Sequence, residues 1–254
     1  MCDTCGCGDI TGVSNHHHHQ DEHVHDHDHD HSHDHSDSGQ VEVPVGRDIL
    51  DTNNRLAERT RGYFEARNIY AINIMSSPGS GKTTLLERTL TDLREKKNFY
   101  VIEGDQQTSR DADRISATGV PVVQVNTGSA CHLDAGMVNR AVKDFDPPNG
   151  SLLLIENVGN LICPSMFDLG EMTRIVMMSV TEGEDKPLKY PGMFRTSQLC
   201  IINKTDLLPY VDFKVEKAIE NGLKVNGRLQ FLEVSALKGT GMEEWYKWLL
   251  ANAG

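Results

Sequence analysis

The stretch that most constrains this chain is SSPGSGKTT, residues 76–84. It follows directly on an apolar run, IYAINIM (69–75), and leads into an amphipathic segment, LLERTLTDLREKK. Strand, glycine loop and helix in that order are the context of a phosphate-binding loop. Gly79 and Gly81, flanking Ser80, let the backbone curl its N–H groups around phosphate oxygens. Lys82 can reach the terminal phosphates, and Thr83 can offer a hydroxyl to Mg²⁺. The helix that begins here, with Thr84 in its first turn, adds the favourable end of its dipole. One position departs from the usual pattern: Ser76 stands where a glycine is common.

Six further apolar runs follow the first: 99–103, 120–125, 151–156, 174–180, 198–203 and 229–234. They are near-continuously hydrophobic, as strands covered on both faces are, and the stretches between them are long enough for helices. This pattern predicts an α/β fold built on a doubly wound, mainly parallel sheet. Upstream, RDILDTNNRLAERTRGYFEAR carries Ile49, Leu50, Leu56, Ala57 and Phe64 at near-helical spacing, which predicts a helix packed on the main domain.

The ends of the later strands indicate which nucleotide is held. INKTD (202–206) closes one strand. The carboxylate of Asp206 can accept both donors on the guanine edge, whereas adenine would leave it facing an acceptor. Asn203 can tie loops together, and the stem of Lys204 can lie along the base. SALKG (235–239) closes the next strand, where Ser235 and Ala236 can present a backbone N–H to the guanine oxygen. Together with the phosphate loop these motifs predict GTP and GDP as ligands. Asp105, in EGDQQTSRDADR, is placed to bind Mg²⁺ directly or through water. In ENVGN (156–160), Glu156 reads as a buried acid near the magnesium, and Gly159 as a residue whose N–H can approach the γ-phosphate. Lys82, Asp105 and Glu156 are thus the residues expected to carry hydrolysis. Gln106 and Gln107 are candidates for orienting the attacking water.

The charge is unevenly spread. Residues 1–40 contain nine Asp or Glu and no Lys or Arg, and so supply most of the formal −12; the remainder is nearly neutral. No basic stripe suggests nucleic acid, and no apolar run approaches the ~18 residues of a membrane span. The start of the chain lacks a signal-peptide pattern, so the cytoplasm is the expected compartment, where the six cysteines should be reduced and available to metals. Residues 1–40 are low in complexity and have almost nothing apolar to bury. They are expected to form a disordered, metal-binding tail, with 41–254 as a P-loop GTPase domain that includes the upstream helix.

Eleven of the twelve histidines lie between His16 and His35, interrupted and then alternating with aspartate, unlike an expression tag. Neutral imidazoles bind Ni²⁺, Zn²⁺ and Cu²⁺ with little selectivity, so the tract reads as a multi-ion reservoir. Cys2, Cys5 and Cys7 sit in a segment where packing cannot explain them. With Met1 removed, the α-amine and three thiolates could surround Ni²⁺ in a plane or Zn²⁺ tetrahedrally. Within the predicted domain, Cys131 and His132 are adjacent, and Cys163 lies just beyond Gly159. Two thiolates and one imidazole suit Zn²⁺ or Ni²⁺, but cysteine is also a common small core residue, and spacing leaves both readings open. Cys200, inside an apolar run, is assigned to the core.

Taken together, CDTCGCG, NNRLAER, SSPGSGKTTLL, EGDQQT, QVNTG, CHLDA, ENVGNLICP, FDLGE, SVTEGEDKPLKYP, NKTDLLPY and GMEEWYKWL resemble the HypB family, SIMIBI-class GTPases that help insert nickel into [NiFe]-hydrogenase. The likeness spans nearly the whole chain. It implies a metal-handling GTPase, here expected to be slow for want of a clear water-orienting residue, with dimerisation when GTP is bound and a metal site made of Cys131, His132 and Cys163. It also implies tight nickel binding by the leading cysteines, and as partners a HypA-like nickel chaperone and the hydrogenase large-subunit precursor. The related urease GTPase lacks the thiolate leader, and CHLDA points away from it. The alternatives are a metal store whose GTPase is vestigial and a small-molecule kinase on the same phosphate loop, the latter disfavoured by NKTD.

Overall fold

The protein is described by a computed structural model that covers residues 45–106 and 110–253, with side chains from Asp48 onward. The leading cysteines Cys2, Cys5 and Cys7, the histidine tract and Gln107 lie outside the described residues. The seven predicted strands are all present, each within two residues of its expected ends: β1 (Tyr70–Ser76), β2 (Phe99–Asp105), β3 (Val122–Asn126), β4 (Leu152–Glu156), β5 (Thr173–Ser179), β6 (Leu199–Asn203) and β7 (Gln230–Glu233). They form one sheet in the order β3-β2-β4-β1-β5-β6-β7, and every pair is parallel. The chain moves outward through β2 and β3, returns to β4, and then crosses β1 to β5. Ligand sites in open parallel sheets lie at such a crossing, beyond the carboxyl ends of the strands.

The helices are α1 (Val45–Ala66), α2 (Lys82–Leu93), α3 (Arg110–Ser116), α4 (Ala135–Phe145), α5 (Lys186–Lys189), α6 (Pro191–Thr196), α7 (Val215–Val225) and α8 (Met242–Asn252). Strand alternation sorts the core between the two faces of the sheet. Ile72 and Ile74 of β1 point to the side of α2 and α8, where Leu86, Leu90 and Trp245 are fully buried. The indole N–H of Trp245 donates to Thr89 Oγ1 at 2.8 Å. Ala71 on the opposite face joins Phe64 of α1 and Val138 of α4, while Met75 packs with Met193, Phe194 and Ala218 of α6 and α7. Between these two clusters, on the same face, lies a polar residue of β1, Asn73, fully buried. Cys200 is buried among the Met75 cluster, as the apolar run around it requires.

Two features depart from the sequence expectation. Coverage on both faces holds for β4 and β6, but β3 and β7 end the sheet and their side chains are only partly buried or exposed. The connection from β4 to β5 contains no α-helix among the described residues, only a single 3-10 turn at Cys163–Ser165. Asn160 explains the local shape. Its side-chain oxygen accepts the N–H groups of Ile162 (2.7 Å) and Cys163 (3.2 Å), and Pro164 then fixes the turn. Side-chain capture of backbone donors competes with helix formation in this way. No described helix is long and apolar enough to cross a membrane.

Candidate functional site: a phosphate-loop cavity beside a thiolate cluster

The loop between β1 and α2 is held by its glycines. Gly79 and Gly81 have φ of +73° and +96°. A Cβ on Gly81 would also come within 2.6 Å of the Asn203 amide nitrogen, so both conformation and space exclude a side chain there. The departure at Ser76 has a local use. Ser76 Oγ accepts from Lys82 Nζ at 2.8 Å and itself donates to the Ser77 carbonyl at 2.6 Å. Burial holds the Lys82 ammonium below the ordinary lysine value, with Glu156 the foremost opposing charge.

The loop opens onto a cavity of about 600 Å³ lined by residues 78–84 with Asp105, Gln106, Asp111, Arg114, Glu156, Gly159 and Lys204. Gly159 is drawn in close: a Cβ on it would lie 3.1 Å from Pro78 Cα. Thr83 Oγ1 donates to Glu156 Oε1 at 2.7 Å. The β2–β4 register sets Glu103 directly beside Glu156. Burial raises both carboxyls above their usual range, Glu103 to about 8, with the Glu156 charge adding to its shift. Glu103 Oε2 and Glu156 Oε2 are buried and meet no hydrogen-bond partner among the described residues. Two buried acids with spare oxygens beside a single lysine make a site short of positive charge. An all-oxygen donor set of this kind fits a hard divalent ion such as Mg²⁺, with Thr83 and Asp105 at its edge.

A second cavity, of about 200 Å³, shares Gly81, Thr84 and Lys204 with the first and continues past Asn203, Asp206, Leu207, Ala236 and Leu237. The buried Asn203 side chain donates to the Ser80 carbonyl at 2.9 Å and accepts the Ala236 N–H at 3.1 Å. Lys204 sits at φ +62° and its Nζ donates to the Gly79 carbonyl at 2.7 Å. Ser235 Oγ donates to Asp206 Oδ1 at 2.5 Å. One volume therefore suits phosphates and the other a flat base, with the NKTD and SAL segments cross-tied to the phosphate loop. The Ala236 N–H is committed to Asn203 in this arrangement.

Cys131, His132 and Cys163 bring their ligand atoms within 4.8 Å of one another. Among the described residues no other cluster of three such groups meets this spacing. His132 is buried, stacked on Phe167 with ring centroids 3.8 Å apart, and burial keeps its pKa below the ordinary value. A neutral imidazole beside two thiols is a donor set for Ni²⁺ or Zn²⁺, and three ligands leave a coordination position open. The Gln106 side chain donates to the Ala130 carbonyl at 3.2 Å, reaching from the phosphate cavity toward this loop.

Residues 70–233 match the model of the CobW/HypB/UreG nucleotide-binding domain. The hydrogenase maturation factor HypB of Rhizobium leguminosarum bv. viciae is 56% identical over 211 residues, covering 83% of this chain and 71% of that protein. The chain belongs to the HypB family. Its fold agrees with the HypB crystal structure from Archaeoglobus fulgidus, at TM-score 0.76 and 41% identity over 81% of this chain and 100% of that one. It agrees similarly with HypB from Helicobacter pylori crystallised in complex with nickel, at TM-score 0.74 and 39% identity over 80% and 95% of the two chains.

The sequence singles out the phosphate-loop, guanine and thiolate residues. It does not single out Glu103, Asp111 or Arg114. Glu103 carries a usable signal: an acid inside an apolar strand, at the level where Glu156 ends its own. Arg114 donates to Thr84 Oγ1 (3.1 Å) and Glu87 Oε2 (2.6 Å) from α3, a geometry no spacing rule announces.

Proposed function

We propose that this HypB-family protein hydrolyses GTP to GDP and phosphate and uses the nucleotide state to deliver nickel for [NiFe]-hydrogenase maturation. Lys82 gives up its neutral contact with Ser76 to meet the β- and γ-phosphate oxygens, and the Gly79–Thr84 backbone cradles them. Asn203, Lys204 and Asp206 read guanine, with Ser235 holding the Asp206 carboxylate in place. Thr83 and Asp105 would hold Mg²⁺, Glu156 standing behind them; when bound, the ion supplies charge that stabilises phosphoryl transfer. Gly159 offers its N–H where the γ-phosphate arrives. Slow turnover suits a switch.

Nickel is the cargo, with Zn²⁺ as its competitor. Cys131, His132 and Cys163 form the delivery site, and the Cys2, Cys5 and Cys7 leader with its histidine tract holds nickel in reserve. The protein works in the cytoplasm as a GTP-dependent homodimer, between a HypA-like nickel chaperone and the hydrogenase large-subunit precursor. The observation that carries this reading is the run Glu156–Gly159–Cys163. Within eight residues it passes from the buried acid under the phosphates to a thiol ligand.

GTP turnover and nickel stoichiometry measured on one preparation test it. The wild-type chain should turn GTP over slowly. Lys82→Ala should abolish turnover and leave nickel on the leader. Cys163→Ala should lose inner-site nickel and keep GDP affinity. Several ions bound with zero wild-type turnover would replace the delivery reading with a storage protein.

A further inference from the structure

Asn157 follows Glu156 and is 1% exposed. Its side-chain oxygen accepts two backbone N–H groups, from Leu133 at 3.1 Å and from Val158 at 3.0 Å. Leu133 is the residue after His132; Val158 is the residue before Gly159. One buried oxygen therefore holds both the loop that carries two thiolate-cluster ligands and the loop that touches the phosphate loop.

Its amide nitrogen extends the connection. It donates to Asn73 Oδ1 at 3.2 Å, and Asn73 donates to Glu171 Oε1 at 3.2 Å. Glu171 Oε1 also accepts from Arg174 Nε at 2.5 Å, and its Oε2 accepts the Leu169 N–H at 2.7 Å. The two remaining Arg174 nitrogens donate to the carbonyls of Ser165 and Phe167, each at 3.3 Å. Ser165 ends the turn that Cys163 begins, and Phe167 underlies His132. The arm thus reaches the third ligand from the other side.

We propose that Asn157 is a positioning residue that couples the nucleotide cavity to the Cys131–His132–Cys163 cluster, with Asn73, Glu171 and Arg174 extending the coupling to the Cys163 side. The proposal rests on the reading of that cluster as a nickel site. If Val158 shifts when Gly159 meets a γ-phosphate, either Leu133 moves with it or a buried N–H loses its acceptor, a costly state. The side chain must supply an acceptor and a donor at once. Aspartate keeps the shared oxygen and loses the donor; alanine loses both. By linkage the same coupling makes nickel favour one nucleotide state.

The test uses the full chain, wild type and Asn157→Ala, each with and without Cys163→Ala so that nickel on the leader can be subtracted. Nickel affinity is measured by competition with a chromogenic chelator, and thiolate ligation by charge-transfer absorption, in GDP and in a non-hydrolysable GTP analogue. The wild-type inner site should show affinities differing by about tenfold between the two states, within the usual range of allosteric coupling. In Asn157→Ala the ratio should fall to within about twofold of one while GDP affinity persists, and Asn157→Asp should lie between. A ratio unchanged in folded Asn157→Ala overturns the inference and leaves the nickel reading standing. Should Asn157→Ala not fold, Arg174→Lys decides: a reduced ratio supports the coupling and an unchanged one overturns it. A wild-type chain with no nickel dependent on Cys163 in either state removes the nickel reading and this inference together.

Discussion

The base cavity and the thiolate cluster, two ends of the candidate site, are built differently. At the base end, Asn203 bridges the Ser80 carbonyl and the Ala236 N–H, Lys204 reaches Gly79, and Ser235 fixes Asp206. Three segments far apart in sequence are tied by side chains that sit at strand ends. At the thiolate end, Cys131 lies in irregular backbone, Cys163 in a single 3-10 turn, and Ile162 beside it is 55% exposed. That end is joined by hydrogen bonds, through Gln106 and Asn157, to residues that line the phosphate cavity. The base cavity is cross-tied by side chains, and the thiolate-cluster residues ride on loops with little secondary structure to resist displacement.

The largest effect should come from breaking the cross-ties of the base end. Gly81→Ala forces a Cβ onto Asn203 at a left-handed backbone position. Strain of this kind costs of order 1–3 kcal/mol before any clash is counted. Loss of guanine nucleotide binding by at least about a hundredfold is expected. Fluorescent-GDP titration checks it, and the thiolate end should keep the part of the nickel charge-transfer band that depends on Cys163. Loss of that band in a folded variant would mean the two ends are not separable.

Asp206→Asn should have the next largest effect, and it acts on selectivity. In the proposed function this carboxylate accepts both guanine donors; an amide that can donate takes its place, so the preference for guanine should drop by roughly 10²-fold or more. Xanthine nucleotides, which present a carbonyl where guanine has its amino group, should gain. Ser235→Ala removes the 2.5 Å bond that orients Asp206, together with the acceptor for the Lys238 N–H at 3.1 Å, and should lower GDP affinity by about tenfold, as the loss of a charge-assisted hydrogen bond does. Competition between GDP and XDP measures both. An Asp206→Asn chain that still prefers GDP would assign base reading elsewhere.

The same contrast explains which parts of the molecule are legible in the sequence. The inner strands are legible because a parallel sheet buries both their faces, so their runs are apolar without alternation, while the edge strands β3 and β7 are only partly buried. The base end is legible because each contact is made by a residue within a short motif. The thiolate end is less so. Cys131 and Cys163 are 32 residues apart, and only the fold shows whether they meet or serve as separate small core residues. The Asn73–Asn157–Glu171–Arg174 chain is hidden for the same reason, since its members come from β1, the end of β4 and the start of β5. One signal is present: Asn73 interrupts an otherwise apolar strand, and a buried amide in such a place requires partners. The β4–β5 connection is long enough for a helix, and the capture of two N–H groups by Asn160 is a side-chain choice that length does not reveal.

The smallest effect should come from α1, and it separates support of the thiolate end from simple packing. Asn53, 5% exposed, accepts the Ala135 N–H at 2.9 Å and donates to the Asp168 carbonyl at 2.8 Å, so it clasps the chain just beyond His132 and just beyond Phe167. Asn53→Ala should cost about 1–3 kcal/mol, the cost of orphaning buried backbone groups, and should weaken inner-site nickel binding more than GDP binding. Just past the end of α1, Arg67 hydrogen-bonds Asp146 and holds its carboxyl below the usual aspartate range. Because that pKa is depressed in the folded state, the contribution is present above the unfolded aspartate value and is lost as pH falls through the folded one. The pair is exposed, so Asp146→Asn should lower the melting temperature only slightly at neutral pH, with the difference from wild type vanishing in acid. Nickel affinity and GTP turnover should not change in that variant. If they did, α1 would be acting on the metal loops as a whole helix, and a selective role for Asn53 would be wrong.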